Sequence, residues 1–162
     1  MINFNSFSGI VTVINDFTSQ NNENAGCNKL ISVSDGSGYI INFMVSPDTY
    51  FTDQKIVRVG DLITGYYDGN APAIRIYPPQ YSTIIVVKYN QKQNIKVDYF
   101  NSQLLSSDGQ LKLNIAPYSR TLLKNEQPFT GNPANRNLIV FYGASTRSIP
   151  AQTTPTKIIV WC

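Results

Sequence analysis

One six-residue pattern occurs twice in this chain. Arg75-Ile-Tyr-Pro78-Pro-Gln80 and Arg147-Ser-Ile-Pro150-Ala-Gln152 share the form Arg-x-x-Pro-x-Gln, and each is followed within six residues by Ile-Ile-Val. Upstream, further segments correspond in the same order: Val33-Ser-Asp35-Gly36 with Ser106-Ser-Asp108-Gly109, Met44-Val-Ser-Pro47 with Asn114-Ile-Ala-Pro117, and Leu62-Ile-Thr-Gly-Tyr66 with Leu138-Ile-Val-Phe-Tyr142. Any one match carries little weight. Together they describe an internal duplication, which governs the fold because a repeated unit must bury its core either within itself or against its copy. The correspondence places a first unit at residues 7–88 and a second at 94–162.

Both units read as strands. Gly9–Ile14, Lys29–Ser34, Tyr39–Val45, Leu62–Tyr67 and Thr83–Lys88 are rich in β-branched and aromatic residues and are separated by Gly, Pro, Asn and Asp. Asp35-Gly-Ser-Gly38 marks a hairpin, since Asp and Gly tolerate the positive φ of a tight turn. Residues 18–28 form a long polar loop, and residues 47–56 leave room for no more than a turn of helix. In the second unit the strands are Ile95–Phe100, Gln103–Ser107, Leu111–Ile115, Leu138–Tyr142 and Thr156–Trp161, with Asp108-Gly109 at the hairpin. With 42% apolar residues there is enough material for a packed core.

The order strand, long loop, two-stranded hairpin, short irregular piece, strand, long loop, strand resembles the OB-fold, a five-stranded Greek-key barrel. Arg58-Val-Gly-Asp-Leu-Ile-Thr-Gly65 is similar to the turn-and-strand segment that opens the fourth strand of such domains. The resemblance covers the first unit well. The second unit lacks the long loop after its first strand, and Thr130-Gly-Asn-Pro133 stands where the first has Val59-Gly-Asp61. Two all-β architectures therefore stay open: tandem OB-like barrels, or one merged β-sandwich or larger barrel.

The chain has no histidine. That removes Ser-His-Asp and Cys-His catalysis, imidazole bases and most zinc sites. Asp35, Asp61 and Asp108 adjoin glycines in turns, where Asp serves the backbone. Neither GxxxxGK[ST] nor GxGxxG occurs, so no phosphate-cradling loop is expected. Cys27 and Cys162 have no metal or redox spacing and read as free thiols. The sequence thus predicts no enzyme, cofactor or metal.

Net charge is +3 with the basic residues scattered, so nucleic acid is permitted but weakly supported. Lys88, Lys92 and Lys96 form the nearest approach to a basic patch, but a solvated linker is the better account of them. The start lacks the basic and long apolar stretch of a secretory leader, and no segment has the length of a membrane helix, which gives a cytoplasmic expectation. The Asn, Ile, Lys and Tyr bias fits an AT-rich genome such as that of a low-GC bacterium.

Function is expected in the repeated loop. In an OB-like barrel the connection between strands four and five flanks the usual binding face. Arg75, Gln80, Arg147 and Gln152 supply donors and acceptors for a polar ligand, and Tyr77 and Tyr81 add stacking surface in the first copy only. The ligand classes are an oligosaccharide, a peptide or single-stranded nucleic acid. The same Arg and Gln could instead turn inward and hold the loop by bonding carbonyls. The alternative function is assembly, in which two unequal β units associate into homo-oligomers through exposed strands.

Overall fold

The computed structural model describes residues 2–17, 26–72 and 76–162. Among these the chain is all-β, the one helical piece being a 3-10 turn at Thr52–Gln54. It divides into two compact units, Met1–Tyr89 and Asn90–Cys162.

The first unit holds β1 (Phe4–Asp16), β2 (Lys29–Ser34), β3 (Ile40–Val45), the short β4 (Tyr50–Phe51), β5 (Leu62–Asp68) and β6 (Gln80–Lys88). β1 pairs antiparallel with β2 and β5, β2 with β3, and β5 with β6. β3 also pairs in parallel with β6, which takes the short β4 as a further parallel partner. Alternation sets the core: Ile31 and Val33 of β2, and Ile41, Phe43 and Val45 of β3, point inward with Val11, Ile63 and Val86. Phe43 is fully buried beneath Gly65, where an added Cβ would lie 2.5 Å from the ring. Only glycine lets β5 pass that close to an aromatic side chain.

The turns form for the local reasons their residues supply. Oδ1 of Asp35 accepts the N–H of Ser37 at 2.8 Å and of Tyr39 at 3.3 Å, while Gly36 and Gly38 take φ of 88° and 96°. Asp61 accepts the Arg58 N–H at 2.7 Å around Gly60, and the turn docks on the Val11 backbone, where β1 carries an irregularity between Val11 and Val13.

The second unit holds β7 (Asn94–Phe100), β8 (Leu111–Leu113), β9 (Arg120–Leu123), β10 (Arg136–Tyr142), β11 (Ala151–Thr153) and β12 (Lys157–Trp161). Its core joins Phe100, Leu111, Leu113, Leu138, Val140, Ile158 and Val160. The antiparallel pairs β7–β10 and β10–β12 answer to β1–β5 and β5–β6, and the parallel pairs β8–β11 and β9–β12 answer to β3–β6 and β4–β6. Single bridges Phe100–Ser106 and Leu105–Lys112 stand where β2 would be.

A shared hydroxyl clamp makes the likeness atomic. In the first unit Thr49 Oγ1 accepts the Ser46 N–H at 3.1 Å and donates to the Thr83 carbonyl at 2.8 Å. In the second, Ser119 Oγ accepts the Ala116 N–H at 3.1 Å and donates to the Pro155 carbonyl at 2.6 Å. Each hydroxyl closes a turn that contains Pro47 or Pro117 and ties it to the last strand region.

The structure corrects three details of the sequence reading. Residues 103–107 are not a strand: Asn101 Oδ1 accepts the N–H groups of Gln103 and Leu105, and Leu104 has φ of 59°, so the chain turns directly after β7. The final strand lies where expected, at β12, but Ala151–Thr153 of the repeated loop form a further strand, β11, set apart from β12 by Pro155, which has no N–H to give a ladder. The match of Leu62–Tyr66 with Leu138–Tyr142 is out of register. With Val86 equivalent to Val160, the residue facing Val86 is Gly65, whereas the residue facing Val160 is Leu138.

Candidate functional site

In each unit the repeated loop leads into a strand with a parallel partner, β3 for β6 in the first unit and β8 for β11 in the second. Asn42 and Phe43 face Gln80 and Tyr81 in the first unit, and Leu111 and Lys112 face Ala151 and Gln152 in the second. Both loops carry a cis X-Pro bond at the same place in the motif, Tyr77-Pro78 and Ile149-Pro150.

In the first unit the loop lies on the hairpin between β2 and β3. The Tyr77 hydroxyl donates to the Gly38 carbonyl at 3.3 Å, and the Tyr77 ring meets Tyr39 edge-on with centroids 6.2 Å apart. Tyr39 in turn meets Phe7 of β1 edge-on at 5.7 Å. Tyr77 is 65% exposed and Tyr39 45% exposed, so this row of rings keeps much of its surface in water. Tyr81 is half-buried and stacks on Tyr67 at 3.9 Å, over Phe43. Burial first, and then the neighbouring Tyr81 hydroxyl, pushes the Tyr67 phenol up, so it stays a hydrogen-bond donor through neutral pH.

The charge beside this row is negative. The Ser37 N–H, followed by the Ser37 hydroxyl, holds the Asp35 carboxyl below its ordinary range, which keeps it ionised next to Tyr39. Gln80 opens β6 half-buried, with its backbone in the ladder beside Asn42. Arg75 lies outside the described residues.

The second loop is built differently. Arg147 is exposed and forms no hydrogen bond or ion pair with the described residues, so it is not the inward-turned arginine of a scaffold. The loop is held by its hydroxyls: the Gln152 N–H reaches Thr146 Oγ1 at 2.9 Å, Ser148 Oγ donates to the Pro150 carbonyl at 2.8 Å, and Thr153 Oγ1 donates to the Ala144 carbonyl at 2.7 Å. The Gln152 side chain accepts from Asn114 Nδ2 at 3.2 Å. Tyr77 and Tyr81 have no aromatic equivalents here, so the structure groups Tyr77 with Tyr39 and Phe7, and Gln152 with Asn114.

Tyr39, Phe7 and Tyr67 were missed as candidates. They stand on the hairpin, β1 and β5, and only the packing of those elements brings Tyr39 and Phe7 to Tyr77, and Tyr67 to Tyr81. Two of the three patch lysines are paired within their own units: Lys88 with Asp61 at 3.2 Å, and Lys96 with Asp108. Cys27 and Cys162 are free and exposed. Among the described residues no group of three or more His, Cys, Asp or Glu could hold a metal ion, and no helix is long and apolar enough to cross a membrane. Comparison with protein-family models, curated proteins and solved structures finds no match to this chain.

Proposed function

We propose that the chain is a non-catalytic binding module, made of two OB-like units that descend from one duplicated ancestor, and that its first unit holds a neutral oligosaccharide against Tyr39 and Tyr77. The exposed pair Tyr39 and Tyr77, backed by the half-buried Phe7, is the observation that carries this reading. Sugar rings present flat C–H faces to aromatic side chains, and the ionised Asp35 alongside accepts hydroxyl protons while repelling phosphate. The OB-like assignment rests on the cyclic pairing of β1, β2, β3, β6 and β5 with its parallel third and last strands. The duplication is supported by the recurrence of the β1–β5, β5–β6, β3–β6 and β4–β6 pairings, the clamp hydroxyls and the repeated loop.

The test is a titration with neutral cello-, malto-, xylo-, chito- and laminari-oligosaccharides alongside single-stranded oligonucleotides at low salt, followed by tyrosine fluorescence and backbone amide shifts. A sugar that moves the amides around Gly38, Tyr39 and Tyr77 supports the proposal. Oligonucleotide binding that weakens steeply with added salt sinks it in favour of nucleic acid. Light scattering across a concentration series tests the assembly alternative, for which a monomer throughout is the excluding result.

A further inference from the structure

The second unit carries a groove whose lining differs in kind from the aromatic row. It has a volume of about 640 Å³ and lies between the segment Gly143–Thr146 and β11, with Asn114 and Tyr118 completing its walls. None of the residues lining it is acidic or basic. Its polar surface consists of amides and hydroxyls.

Those groups are pre-arranged. Asn114 Nδ2 donates to Gln152 Oε1 at 3.2 Å, which orients the two amides and leaves Asn114 Oδ1 as an acceptor and Gln152 Nε2 as a donor. Thr146 Oγ1 is anchored by the Gln152 N–H and shares a 2.7 Å bond with Ser148 Oγ, which sets the wall opposite. The Ser145 and Thr154 hydroxyls form no hydrogen bond with the described residues, and neither does the phenol of Tyr118, whose side chain is 67% exposed. An acceptor and a donor, free hydroxyls and one exposed ring match a ligand whose own groups donate and accept at neighbouring carbons.

We infer that this groove is a second, separate binding site for a neutral oligosaccharide, read mainly by hydrogen bonds. It stands on residues other than those of the aromatic row. The lining residues offer a charged ligand no counter-charge. A peptide adding as a strand has no free edge to use. β11 pairs with β8 on one side, and on the other the Gln152 carbonyl accepts the Thr146 N–H at 2.9 Å while the Gln152 N–H is bound to Thr146 Oγ1.

The experiment is a titration of the isotope-labelled full chain with the same neutral oligosaccharides at millimolar concentration, and separately with neutral peptides. The expected result is saturable movement of the amides of residues 114–118, 143–146 and 152–154 with at least one sugar. Tyr118→Ala and Asn114→Ala should each weaken that binding about tenfold, which is about 1.4 kcal/mol, with the urea midpoint of Trp161 fluorescence unchanged. No movement with any sugar, or movement with peptides alone, overturns the inference. Shifts confined to Tyr39 and Tyr77 overturn it too while leaving the aromatic site standing, and shifts confined to this groove do the reverse.

Discussion

Ser119 is the residue whose removal tests the architecture most severely for the smallest change. Its hydroxyl accepts one backbone N–H, that of Ala116, and donates to one backbone carbonyl, that of Pro155. Ser119→Ala deletes both bonds at a half-buried site and leaves an N–H and a carbonyl to find water. Each such bond contributes about 0.5–1.5 kcal/mol net, so the pair amounts to about 1–3 kcal/mol. Partial exposure of the turn favours the lower half of that span, about 1–2 kcal/mol. In a unit of this size that lowers the melting temperature by about 5–15 °C. Trp161 is the sole tryptophan and sits in β12, so its fluorescence in a urea titration reports the second unit. Ser119→Thr keeps the hydroxyl and should stay near the parent. Thr49→Val in the first unit removes the equivalent bonds and should cost about the same by far-UV circular dichroism. A loss below about 0.5 kcal/mol for Ser119→Ala, or equal damage from Ser119→Thr, would refute the clamp.

Three further outcomes follow from the same geometry. Gly65→Ala drives a methyl into the buried Phe43 ring and should destabilise the first unit by about 1–3 kcal/mol in urea, since neither backbone nor ring has room to give. Arg147→Ala, at an exposed side chain with no hydrogen bond to the described residues, should change the urea midpoint of the second unit by no more than about 0.5 kcal/mol. For pH, burial raises the Asp108 carboxyl, but the Lys96 ammonium, the Ser106 hydroxyl and the Gln110 N–H together bring it below the ordinary value. A folded value below the unfolded one contributes stability that is complete above about pH 4 and is lost as pH falls through the folded value. Trp161 fluorescence should therefore show the second unit weakening below about pH 4, with Asp108→Asn less stable at neutral pH and flatter on the acid side.

Much of the fold was legible because its signals are local. Lys29–Ser34 is a strand over the residues its composition marks, Asp35-Gly36 and Asp108-Gly109 turn where the side-chain acceptor and the glycines demand, and the all-β class follows from those segments. The short strands β4 and β9 were not legible. Tyr50–Phe51 and Arg120–Leu123 have no alternation of their own and become strands only by lying parallel to β6 and β12. Register was illegible for the same reason, because Leu62–Tyr66 and Leu138–Tyr142 look alike in sequence while their partners assign them positions three apart. At the site, Tyr77 was visible from the repeated motif. Tyr39 and Phe7 were not, since what makes them part of it is the descent of the loop onto the hairpin.

Tyr77→Ala examines the binding reading at its source. The variant loses one hydrogen bond to the Gly38 carbonyl and one edge contact with Tyr39, both at an exposed loop, so its unfolding midpoint should stay within about 0.5 kcal/mol of the parent. Isothermal titration with the oligosaccharide that moves the Tyr39 amide should then show an affinity reduced about tenfold or more. Unchanged affinity for that sugar, in a variant that folds as well as the parent, would contradict the assignment of the first unit as an aromatic carbohydrate-binding module.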